Sequence, residues 1–160
     1  LHALRRDGVT LLNQALEDDP SYDKLRLALA GYQHAEDGIE EARTTLKGVS
    51  PPAQQDEAFK GLLARIEIRE TALNSENQDT LLSRLQSTPD DHDSRRRLSA
   101  VLFERGEAEA AMDHLLEMVR TGQSEIKASA RENLLQVFQA LGSSDDRVSR
   151  YRRLLAQALN

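Results

Sequence analysis

Four histidines and two arginine clusters are the side chains of this sequence best suited to chemistry. A catalytic or metal-binding histidine needs partners at fixed spacing, and His2, His34, His92 and His114 are scattered without them. There is no paired-His helix motif, no Cys/His spacing and no Gly-rich phosphate loop. His92 stands among Asp90, Asp91 and Asp93, but this run lacks the glycine and distal glutamate of a calcium loop. Carboxylates so placed fit a solvated first turn of a helix, where the dipole favours negative charge. His114 abuts Leu115, so it reads as a partly exposed helix residue. With no cysteine, a disulfide framework, a Cys-based zinc site and thiol chemistry are all excluded. The expectation is a chain with no catalytic residue, metal or cofactor.

The arginines form two groups, Arg95–Arg97 and Arg147, Arg150, Arg152 and Arg153. Arginines on helix faces pair with Glu and cover apolar surface with their stems. That reading suits the first group, which lacks the interleaved aromatics that stack on bases. The second group lies on a terminal helix, one face of which has no successor to cover it. The net charge of −6 weighs against general nucleic-acid binding. No run of 18 apolar residues exists to span a membrane.

The elements that carry these side chains are helices. Hydrophobic residues make up 39% and charged residues 30%, the balance of a globular chain. Aromatics are 4% with no Trp, so a core must be built from Leu and Ala, which suits close helix packing. At 160 residues a single domain is expected, large enough to fold without staples. Proline occurs only at 20, 51, 52 and 89, where it punctuates helices. Apolar spacing predicts nine helices. They begin with one over about 3–18, one opening near Pro20–Ser21 and running to His34, one over about 39–47, and a long one over about 53–73 carrying Phe59, Leu62, Leu63, Ile66 and Leu73. Ser75 with Gln78 reads as a capping box for a fifth, with Leu81, Leu82 and Leu85 inward. Helices over about 91–104 and 107–121 follow, then one capped by Ser124 and ending at Gly142. Ser144 is expected to cap the last, whose stripe of Val148, Tyr151, Leu155 and Leu159 should dock on the helix before it.

The chain also repeats itself. Pro20, Leu29, Ala42 and Leu46 recur as Pro89, Leu98, Ala111 and Leu115, each 69 residues on. That offset is close to twice about 34, the tetratricopeptide period. Ala42 and Ala111 fall where two antiparallel helix backbones approach closely, with Leu46 and Leu115 one turn on. Gly8, Leu12, Ala15 and Pro20 have the spacing of the second half of such a repeat. With no initiator Met before Leu1, upstream sequence is expected. The predicted fold is an all-α, tetratricopeptide-like solenoid of antiparallel helix pairs over residues 1–160, a shape suited to holding another protein. Its groove should be lined by first helices of repeats, through Lys24, His34, Arg96, Arg97 and Phe103 among others. These lack the recurring Lys/Asn/Arg set that clamps a peptide carboxylate in heat-shock co-chaperones, so no such clamp is expected.

Residues 41–47 (Glu-Ala-Arg-Thr-Thr-Leu-Lys), 61–67 (Gly-Leu-Leu-Ala-Arg-Ile-Glu), 106–116 and 151–155 (Tyr-Arg-Arg-Leu-Leu), in that order, resemble the C-terminal repeat region of bacterial thioredoxin-like co-chaperones, the chaperedoxin family. The resemblance implies a thioredoxin-fold domain upstream of Leu1, a cytoplasmic protein, repeats that bind unfolded clients, and a last helix that docks on the chaperonin. The implied contact residues on that helix are Arg150, Tyr151, Arg152, Arg153, Ala156 and Gln157. The closing Ala156–Asn160 is less aromatic than the family's usual end. A general assembly scaffold, or a weak homodimer through an exposed end repeat, is the alternative reading.

Overall fold

The structure is a computed structural model that describes residues 2–159 and, from residue 8 onward, their side chains. The side chain of His2 therefore lies outside the described residues. The described residues form nine α-helices and one 3-10 turn, with no strand. They divide into two compact units, residues 1–66 and 67–160.

The first unit holds α1 (His2–Asp18), α2 (Asp23–Ala35), α3 (Ile39–Leu46), the 3-10 turn Ala53–Gln55 and the first part of α4 (Glu57–Leu73). Helix α2 packs against both α1 and α3. Its core gathers Ala30, Ile39, Ala42, Leu46, Val49 and Ile66, with Phe59, Leu62 and Leu63 packed against them. After α3 the chain is tied back to the start of α2, because Asp23 accepts both the backbone N–H of Ser50 (2.9 Å) and its hydroxyl (2.5 Å). These bonds hold the Asp23 carboxyl below its ordinary pKa.

The second unit holds the rest of α4, then α5 (Gln78–Ser87), α6 (His92–Glu104), α7 (Ala108–Thr121), α8 (Ser124–Leu141) and α9 (Asp146–Leu159). Helix α7 is central and packs on α6, α8 and α9. Leu81, Leu85, Leu98, Leu102 and Ala111 form one core cluster, against which Phe103 packs. Met112, Leu115, Val119, Leu134 and Val148 are fully buried.

The sequence repeat is a structural repeat. Both α2 and α6, and the starts of α3 and α7, are displaced by 69 residues. The turn between them recurs bond for bond. Gly38 N–H reaches Gln33 O at 2.8 Å, and Glu107 N–H reaches Leu102 O at 2.9 Å. The positive-φ residue recurs too, Asp37 at 66° and Gly106 at 82°. Ala42 and Ala111 are both wholly inaccessible, as close backbone approach requires. The two second helices differ in length. Gly48, Pro51 and Pro52 follow α3 closely, whereas α7 runs on to Thr121.

Four details correct the sequence reading. Asp56 is extended, so the 53–55 turn is separate and α4 starts at Glu57. Asn77, not Ser75, caps α5, its Oδ1 accepting Thr80 N–H at 2.9 Å, while the Ser75 hydroxyl turns back to Thr71 O. Neither Ser124 nor Ser144 is a cap. Ser124 is the first residue of α8, and α9 starts at Asp146, after Asp145 has accepted the Arg147 N–H at 2.9 Å. Leu73 and Leu82 are exposed rather than inward.

Candidate protein-binding surfaces

The last helix docks chiefly on α7, not on α8 as its stripe led us to expect. Val148, Tyr151 and Leu155 are buried, and Leu159 is exposed. Tyr151 fixes the choice. Its hydroxyl donates to Asp113 Oδ1 at 2.6 Å, with the Glu109 carbonyl 3.2 Å away, and both residues are on α7. Burial, with Asp113 beside it, pushes the Tyr151 phenol up to about 12. Arg150 lies over the Tyr151 ring at 5.1 Å and reaches Glu109 Oε1 at 2.7 Å. Of the six residues implied as a partner contact, Tyr151 therefore lies under the surface, and Arg150 is engaged with α7. Arg152, Arg153, Ala156 and Gln157 are exposed, with the Arg152 guanidinium 5.9 Å from the Phe138 ring centre. Arg147 is bound by Asp145, its Nη2 2.6 Å from Oδ2.

The other arginine cluster is on α6. Asp91 caps α6 by accepting Ser94 N–H (3.0 Å) and the Ser94 hydroxyl (2.6 Å), which lowers its pKa. Asp93 receives Arg96 at 2.9 Å and Arg97 at 2.6 Å, one turn away each, and its pKa is lowered in turn. Arg95 donates to Pro89 O at 2.7 Å. The acidic turn around His92 is thus a capped helix start, as the sequence suggested. No group of three His, Asp or Glu side chains suited to a metal occurs among the described residues. His114 is held below its ordinary pKa by burial and by Arg95, opposed by Asp113.

The groove residues fall in both units. Lys24 is exposed at the start of α2, and His34 is half-buried in its last turn. Arg96 and Arg97 line a polar depression of about 300 Å³ with Glu70, Thr71, Asn74 and Ser75. Phe103 turns toward the core cluster instead. Sequence reasoning missed Glu67, Thr71, Asn133 and Gln136. Glu67 Oε2 accepts Gln136 Nε2–H at 2.6 Å, a pairing of residues 69 apart that no local pattern announces.

Tetratricopeptide-repeat family profiles match residues 71–160 and residues 6–66. The chain belongs to the tetratricopeptide repeat family, and such repeats form a protein-interaction module. Among solved structures it is similar to a domain of a Vibrio parahaemolyticus protein of unknown function, at 23% identity over 99% of this chain and 94% of that one, with a TM-score of 0.48. No curated protein sequence matches it.

Proposed function

We propose that this chain is the protein-binding part of a cytoplasmic thioredoxin-like co-chaperone, without catalytic activity of its own. In this reading a thioredoxin-fold domain accompanies it, its repeats hold unfolded clients, and α9 docks on the chaperonin. The resemblance of the repeat segments and of Tyr151–Leu155 supplies the partners. One observation carries the docking role. Helix α9 is anchored from below by Tyr151 and Arg150, while Arg153, Ala156 and Gln157 lie exposed on its outer side. A helix anchored at its base presents a pre-organised surface, which lowers the entropic cost of binding.

Replacing Arg153 and Gln157 with Glu tests this without touching the anchor. The circular dichroism spectrum should be unchanged, while capture of purified chaperonin weakens. Full capture by the folded variant would place the contact elsewhere. A stable dimer by light scattering that buries α9 would favour the scaffold reading.

A further inference from the structure

Two helices keep one side uncovered. Helix α1 packs on α2 and α9 chiefly on α7, and each exposes a leucine, Leu11 at 63% and Leu159 at 49%. A single exposed leucine is ordinary, but here the charges beside the two leucines are opposite. Residues 8–18 of α1 hold Glu17 and Asp18 and no basic residue. Residues 152–159 of α9 hold Arg152 and Arg153 and no carboxylate. All four charged side chains are exposed.

The spacing of the two sides is also the same. On α1, Leu11, Gln14 and Asp18 are exposed and separated by three and then four residues, which places them along one side of the helix. On α9, read from its end, Leu159, Ala156 and Arg152 are exposed at the same separations. Laid antiparallel, the helices set Leu11 against Leu159, Gln14 against Ala156 and Asp18 against Arg152, with the outer pairs about 10 Å apart along the axis. Glu17 then meets Arg153, and Asn13 meets Gln157 as a pair of exposed amides. The small Ala156 at the centre lets the backbones approach. Two α9 helices paired with each other would instead set arginines against a side that offers no carboxylate.

We propose that α9 of one copy receives α1 of a second copy, antiparallel and in this register, so that the chain associates with itself head to tail. The contact joins different surfaces of the two copies and is therefore heterologous. It buries a single helix pair, far less than a permanent interface, and belongs with weak, reversible associations. Its ion pairs stay near solvent, which makes it sensitive to salt. The contact does not depend on the chaperonin reading, but it covers the same side of α9, so the two partners exclude each other there.

Sedimentation equilibrium of the full chain from about 10 µM to about 1 mM reads the contact with no chaperonin present. The weight-average mass of wild type should rise with concentration in low salt, and rise less in about 1 M salt, where screening shortens to about 3 Å. Glu17→Arg with Asp18→Arg, and separately Arg152→Glu with Arg153→Glu, should each lower the association constant about tenfold or more, since like charges then face each other. An equimolar mixture of the two variants should recover association, because α9 of the first and α1 of the second are unchanged. Leu11→Glu should also weaken it, and decides alone if a double variant loses the wild-type circular dichroism spectrum. A monomer at every concentration, folded variants that associate as wild type does, or a mixture of folded variants that stays monomeric overturns the proposal. None of these results touches the docking of α9 on the chaperonin, and failure of the chaperonin capture would leave the self-contact standing.

Discussion

Tyr151 selects the partner of the last helix. A buried phenol requires an acceptor, and Asp113 with the Glu109 carbonyl provides one on α7. Tyr151→Phe should cost about 1 kcal/mol at neutral pH in urea melts, the net worth of one hydrogen bond. The pH dependence has a definite sign. The folded-state phenol ionises near 12 against 10.0 for the free group, so the folded state holds the proton more tightly. Its stabilising contribution is complete below pH 10 and is lost as pH rises toward 12. Melts of wild type should therefore lose stability over that window by more than those of Tyr151→Phe, and parallel curves would contradict the buried bond. At this scale the sequence was legible where a residue acts locally. The Asp91 turn and the Arg96 and Arg97 pairs with Asp93 follow from neighbours in the chain. The Tyr151–Asp113 and Glu67–Gln136 bonds join residues 38 and 69 apart, and nothing local encodes them.

Between helices, small residues decide the architecture. Ala111 is wholly buried where α6 and α7 meet, and its carbonyl accepts the Ser99 hydroxyl at 2.9 Å. Ala111→Trp should destabilise by roughly 1–3 kcal/mol or more through overpacking. The same change at exposed Glu132 should stay within about 0.5 kcal/mol, and equal urea midpoints would show that the helices do not meet there. Glu109 would not serve as that control, since it holds both Arg150 and Tyr151. Gly142 ends α8 at φ 90° and ψ 156°, a conformation nearly confined to glycine. A Cβ there would meet nothing within 4 Å, so Gly142→Ala isolates backbone strain. It should cost about 1–3 kcal/mol, read as a lower urea midpoint. The helices and the 69-residue repeat were visible because apolar spacing and turn residues encode them. The Ser75 and Ser144 caps failed because Asn77 and Asp145 made the bonds, and the Ser124 cap because that residue lies inside α8, whose cap Gln123 makes no side-chain bond. Leu82 misled because its spacing matched a buried face that no neighbour covers. Ile68 was overlooked because it sits off the stripe of Phe59, Leu62, Leu63 and Ile66.

As a whole, the chain belongs to a family of protein-binding repeats, and no helix among the described residues is long and apolar enough to cross a membrane. Which protein it binds is a property of exposed side chains that pack against nothing in the chain, so periodicity leaves it unspecified. The outer side of α9 is the place where that choice is proposed to be made. Titration of the chain into purified chaperonin, followed by calorimetry, tests this most directly. Saturable binding by wild type is expected, weakened about tenfold or more by Arg153→Glu with Gln157→Glu, a loss of about 1.4 kcal/mol. No heat of binding from the folded wild-type chain, or identical isotherms for wild type and variant, would contradict it.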